Sequence, residues 1–183
     1  MADSNLTKQA LAHGLKVLLK DRPFSRVSVS DICNACGMSR KSFYYHFQDK
    51  YDLLNWIFTT EFVDSMPPCN SEDNWQLLNQ LCRYFYDNRN FYRRAFAVQG
   101  QNSFSSCFWD FLRKTLSREL DHVFNHDPNL PFYTDFYVDA LGCAISRWIQ
   151  QKEPIPAEQF CRLIQNCILG VAANTKQNFT NTD

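Results

Sequence analysis

Apolar residues recur at helical spacing along almost the whole chain, and nowhere do they alternate with polar ones over the length of a strand. From Leu6 to Lys20, Leu11, Leu15, Leu18 and Leu19 share one face. Pro23 breaks that helix, and Phe24 is placed to plug a small core. Val29, Ile32, Cys33 and Cys36 then line a short helix, and Phe43 and Phe47, four apart, anchor the next one inward. A longer helix starts after Asp49, carries Leu53, Leu54, Ile57, Phe58 and Phe62, and ends at Met66-Pro67-Pro68.

Past a polar stretch from Cys69 to Asn74, a helix with Trp75, Leu78, Leu81, Cys82 and Phe85 is expected, then a break at Asp87 to Asn90. A short helix with Phe91, Ala95 and Phe96 ends near Gly100. Another spans Ser103 to Asn125, with Phe104, Phe108, Phe111, Leu112, Thr115, Leu120 and Val123 turned inward, before a turn at His126 to Asn129. The last two helices have the cleanest stripes. One is a two-wide ridge through 132/133, 136/137, 140/141, 144/145 and Trp148; the other carries Phe160, Leu163, Ile164, Cys167, Ile168 and Val171. Glu153 to Pro156 separates them, and the polar tail from Asn174 is expected to fray. The pattern predicts an all-α protein.

Residues 28–50 carry the strongest local signals. Ser28 and Asp31 fit a capping box, with Asp in place of the usual Glu. Gly37 supplies the left-handed residue that ends the helix, and Ser39 is the natural cap of the one that follows. Cys33 sits where two such helices cross closely, which calls for a small side chain. With Phe43 and Phe47 inward, Arg40, Lys41, Ser42, Tyr44, Tyr45 and His46 are left on the other face. Helix, tight turn and a basic-aromatic helix is the arrangement that enters the major groove of DNA.

Charge supports that reading only through its distribution. The 183 residues have a net charge of zero. Residues 1–50 hold eight Lys/Arg and four Asp/Glu, a net of +4, and the remainder holds eleven and fifteen, a net of −4. A basic head on an acidic body suits a DNA-binding module joined to something else. No apolar run reaches the roughly 20 residues of a membrane span, and Met-Ala-Asp-Ser-Asn is not a signal-peptide start, so a cytoplasmic protein is expected. The eight cysteines are scattered over apolar faces and read as reduced, small and buried; Cys33-Asn34-Ala35-Cys36 has no second pair to complete a zinc site.

The run Asp31-Ile32, Gly37-Met38-Ser39, Phe43-Tyr44-Tyr45-His46-Phe47, Asp49-Lys50 and Asp52-Leu53-Leu54 resembles the DNA-binding signature of the TetR/AcrR family of transcriptional regulators. The resemblance covers residues 6 to about 60, and the stretch from Phe43 to Phe58 is similar to a branch that includes activators of dihydroxyacetone-kinase operons. It implies a homodimer with a helix-turn-helix domain over 1–49 and a C-terminal effector-binding and dimerisation domain over 50–183. Arg40 and Lys41 would reach base edges; Ser28, Ser39, Ser42, Tyr44, Tyr45, His46 and Lys50 would hold the DNA backbone. Some aromatics of the body would line an effector pocket, with Phe85, Phe96, Phe104, Phe108, Phe111 and Trp148 as candidates. Phe136, Ala140, Ile145, Phe160, Leu163, Ile164, Cys167 and Ile168 would form the dimer interface. The family default is a repressor, with activation open.

Two alternatives stand beside this. The body could dock a separate ligand-sensing protein, or the chain could be a helical-bundle metal protein or enzyme. Glu119, His122 and His126 share a helical face suited to a metal, yet no second Glu-x-x-His accompanies them. There is no phosphate loop, nucleophile elbow or dinucleotide fingerprint. Neither a cofactor nor a metal is expected, and the expected partners are an operator duplex, a second copy of the chain and an effector.

Overall fold

The computed structural model describes residues 2–65, 74–98, 100 and 103–180, and it describes no side chains at 2–3, at 74 or beyond 169. Among the described residues every regular element is helical: α1 (Ala2–Asp21), α2 (Val29–Cys36), α3 (Arg40–His46), α4 (Lys50–Phe58), α5 (Asn74–Asp87), α6 (Arg89–Phe96), α7 (Phe104–Val123), α8 (Leu130–Gln150) and α9 (Ala157–Thr180). The expected stop at Met66-Pro67-Pro68, the polar residues 69–73 and the side chain of Val171 lie outside the described part. Helix α9 continues through the polar tail to Thr180.

Helices α1 to α3, closed by the start of α4, build the head. Leu11, Leu15, Leu19, Phe24, Ile32, Phe43, Phe47 and Leu53 are each no more than 3% exposed and form its centre. Gly14 lets α1 and α2 cross closely: a Cβ there would lie 3.0 Å from the Ile32 carbonyl. Cys33 is buried nearby, as the spacing required.

The body packs α7 against α8, α5 against α9, and α6 across α7 and α8. Head and body share one continuous core running from Leu11 to Cys161. Phe58, the last residue of α4, is its hub. Its ring centroid lies 5.4 to 6.4 Å from those of Phe62, Tyr84, Phe85, Tyr92, Phe104, Phe108 and Phe111. Helix α4 therefore belongs to both halves. After Phe58 it opens into a π-turn, Thr59–Val63, rather than running on as α-helix.

Two expectations about the body are corrected, the burial of Val123 and that of all the cysteines. Val123, the last residue of α7, is 68% exposed. The inward face of α8 is Thr134, Val138, Gly142, Ile145, Trp148 and Ile149, while Phe132 and Phe136 are 70% and 60% exposed. A threonine and a glycine on the buried side hid that face from a count of apolar residues. Finally, Cys143 and Cys167 are exposed, so the cysteines are not uniformly buried.

Candidate nucleic-acid interface

The turn between α2 and α3 is fixed by local chemistry. Ser28 Oγ accepts the Asp31 N–H at 3.1 Å, and the Asp31 carboxylate accepts the Ser28 N–H and O–H at 2.8 and 2.6 Å. Those two bonds, helped by the nearby charges of Arg22 and Lys50, hold the Asp31 carboxyl below its ordinary pKa against a smaller opposing effect of burial. Gly37 ends α2 at φ +67°, and the Met38 N–H reaches back to the Cys33 carbonyl at 2.9 Å. This is the six-residue closure that a left-handed glycine permits. Ser39 then caps α3, its Oγ accepting the Ser42 N–H at 3.1 Å.

Helix α3 is held from below by Phe43, fully buried, and by Phe47 just past its end. Its outer face carries exposed Arg40, Lys41, Tyr44 and Tyr45, with Ser42 and His46 half-buried. Tyr45 is 82% exposed. The Arg40 guanidinium lies over the Tyr44 ring at 5.9 Å, one helical turn on, and the His46 ring meets Tyr45 edge-on at 4.9 Å. The structure thus brings Arg40, Lys41, Tyr44, Tyr45 and His46 together on one short surface. Two cations beside exposed phenols suit phosphate and base-edge contacts.

Lys50 does not join that surface. Its ammonium donates to the Val27 and Phe24 carbonyls at 2.7 and 2.9 Å and lies 4.6 Å above the Phe24 ring. Burial lowers its pKa. It fastens the loop before α2 to the start of α4, where Asp49 accepts the Tyr51 and Asp52 N–H groups. Ser28 is likewise engaged by its own capping box.

In the body, the rings expected around a pocket are packed solid. Phe85, Phe104 and Phe108 are fully buried and Phe96 is 6% exposed, each against the others. Trp148 is stacked on Phe160 at 4.2 Å and donates its indole N–H to the Ile155 carbonyl. Of the six expected residues, Phe111 lines a cavity. That cavity, about 260 Å³, lies further along α7, between Leu77, Leu78, Leu116, Leu120, Tyr137 and Ile168. A second, more polar cleft of about 510 Å³ separates α4 from the start of α7. Asn55 and Asp52 face it from α4, Ser106 and Asp110 from α7, and the buried Asn55 Oδ1 has no hydrogen-bond partner.

Among the expected dimer residues, Phe136, Ala140, Leu163 and Cys167 are exposed and Ile164 and Ile168 half-buried. Ile145 and Phe160 are buried within the chain itself, at 0% and 8% exposure, so neither offers surface to a partner. His126 pairs with Asp121, Nδ1 to carboxylate, at 2.8 Å. No cluster of His, Cys, Asp and Glu that could hold a metal occurs among the described residues, nor does any helix there long and apolar enough to cross a membrane.

A family model described as "Bacterial regulatory proteins, tetR family" matches residues 13–57, and one described as "Transcriptional regulator C-terminal region" matches residues 73–170. The HTH-type dhaKLM operon transcriptional activator DhaS of Lactococcus lactis subsp. lactis (strain IL1403) is 32% identical over 99 residues, 54% of this chain and 53% of that protein. The match spans about half the length of this curated relative. The solved structure titled "Dihydroxyacetone kinase operon activator DhaS" superposes with a TM-score of 0.64 at 24% identity, covering 90% of this chain and 94% of its own. A TetR transcriptional regulator from Streptococcus agalactiae 2603V gives a TM-score of 0.64 at 18% identity, with 88% and 93% covered. At these identities the two structures bear on the fold alone.

Proposed function

The chain belongs to the TetR family of bacterial transcriptional regulators, and from that membership we propose that it acts as a cytoplasmic homodimer on a two-fold-symmetric operator. As a member it is a DNA-binding regulator of helix-turn-helix type. We assign the duplex to the head, residues 1–49, with Arg40 and Lys41 at base edges and Tyr44, Tyr45 and His46 on phosphates. Ser39 and Ser42 lie at the same end of α3 and complete the set. The observation that carries this reading is the exposed face of α3, four basic and phenolic side chains set on the buried Phe43. Lys50 positions the loop instead of contacting DNA.

We assign effector binding and dimerisation to residues 50–183. The apolar cavity beside Leu116 and Ile168 suits a small, mostly apolar effector, somewhat below the usual range of about 300–1,000 Å³ for ligand pockets. The exposed Phe136, Ala140, Leu163 and Cys167 suit a second copy of the chain. Neither a catalytic step nor a cofactor enters this reading. A second reading keeps the head but makes the body a platform for a separate sensing protein; it is favoured by the solid packing of Phe85, Phe104 and Phe108. Activation is favoured over repression as the sign of control, by similarity to a relative named as an activator.

The test is enrichment of duplexes from a randomised pool by the purified chain, followed by gel shifts. Symmetric enriched sites are expected, with affinity falling about tenfold or more for Arg40→Ala and for Lys41→Ala, the loss of one good base contact. Indifference to both substitutions, and to Tyr45→Phe, overturns the assignment.

A further inference from the structure

The π-turn that follows α4 is closed by the Asp64 N–H, which donates to the Thr59 carbonyl five residues back at 2.8 Å. Such turns are rare and cluster at functional sites. Across this turn Phe58 and Phe62 are both buried and stacked, 5.6 Å apart. The turn also carries Glu61, whose side chain bridges Lys16 on α1 of the head and Tyr84 on α5 of the body. The Glu61 carboxylate accepts from Lys16 Nζ at 2.6 Å on one oxygen, with the other equally close, and from the Tyr84 hydroxyl at 3.3 Å. Tyr84 lies 2.6 Å from the Tyr92 hydroxyl. A phenol has one proton, so Tyr84 gives its own to Glu61 and receives one from Tyr92. Burial raises both phenols above their ordinary pKa.

One more tie runs beside this chain: Arg94 of α6 donates to the Lys20 carbonyl in the last turn of α1 at 2.8 Å. On the opposite side of α4 lies the open cleft of about 510 Å³. The Lys16–Glu61–Tyr84 chain and the Arg94 tie thus fasten the head to the body beside the joining helix, and their geometry sets the angle between the two.

We propose that Glu61 is a positioning residue for DNA binding: gripping Lys16 on the head and Tyr84 on the body, it fixes the angle of the head, and with it the separation of the two recognition helices. The proposal rests on the dimeric DNA reading given above. Lys16 and Glu61 are partly exposed, at 30% and 37% of their side chains, so the pair acts through geometry more than through strength. A symmetric operator accepts one spacing between half-sites, whereas a single half-site asks nothing of the angle. Loss of Glu61 therefore weakens binding to the full site and spares the half-site.

The experiment uses the full chain and the duplex enriched from the randomised pool, beside a duplex carrying one half-site. Glu61→Ala is expected to lose about tenfold on the full site, within the usual range of coupling between sites, with half-site affinity unchanged and with tolerance for altered half-site spacing gained. Tyr84→Phe, which keeps the ring and removes only the hydroxyl, should show a smaller loss of the same kind. Glu61→Gln, which keeps an acceptor for Lys16, should recover part of it. Lys41→Ala must weaken both duplexes. Wild-type behaviour of Glu61→Ala, or an equal loss on both duplexes, overturns the positioning role alone. If Glu61→Ala does not fold, Tyr84→Phe and Glu61→Gln decide by the same comparison. Failure of the wild type to enrich any duplex, or indifference of both duplexes to Lys41→Ala, overturns the DNA reading and the proposal with it.

Discussion

At the scale of single residues, Lys50 has the most demanding surroundings in the head. It bridges two backbone carbonyls 23 and 26 residues earlier in the chain. Lys50→Met should lower head stability by about 2 kcal/mol, the usual contribution of hydrogen bonds to a charged donor. A thermal melt would register this loss, while Arg40→Ala should melt as the wild type. Asp31 gives a pH test. Its pKa is depressed, so the stabilisation from its capping bonds is complete above the ordinary aspartate value of about 3.9 and disappears as pH falls through the lowered pKa. Melts of Asp31→Asn between about pH 2 and 5 should lack that acid-side decline, and a slope equal to the wild type would contradict the cap. The roles of Ser28, Asp31, Gly37, Ser39 and Asp49 were legible in the sequence because each acts within four residues of itself. The partners of Lys50 were not, since only the closed fold brings them near.

At the scale of elements, Gly142 decides how α7 and α8 meet. A Cβ there would stand 2.7 Å from the Trp109 indole, which is itself tied to Asp139 by its N–H at 3.1 Å. Gly142→Ala should destabilise the body by about 1–3 kcal/mol, the range for overpacking, and Trp109→Leu in the same chain should restore part of the melting temperature. The periodicity of α8 was legible, and Phe136, expected at the dimer interface, is exposed; Thr134 and Gly142 on the buried side carry no hydrophobic signal that would have marked them. The π-turn was equally hidden. Phe58 and Phe62, four apart, fit an unbroken α-helix, and nothing in their spacing marks the extra residue in the turn. The joining of head and body was in this respect a product of packing, with the aromatic hub taking both rings at once.

At the scale of the whole molecule, the exposed apolar residues of α8 and α9 make oligomeric state the property to measure. Phe136→Glu together with Leu163→Glu should move the chain from dimer to monomer in sedimentation, with the head still folded and full-site DNA affinity lost. The sequence resemblance reached the head and the all-helical body, while the cavity was out of reach. Cavities are what packing leaves over, and the rings that looked fit to line one fill the core instead. The seven rings around Phe58 bear finally on how the molecule opens. The amides at the end of α4 sit at the centre of a core common to both halves, so no local breathing frees them. In deuterated water they should exchange only when the entire chain unravels, at the same free energy as the slowest amides of α7. A strongly destabilising change deep in the body, such as Phe108→Ala, would then be felt as faster labelling beneath the recognition helix.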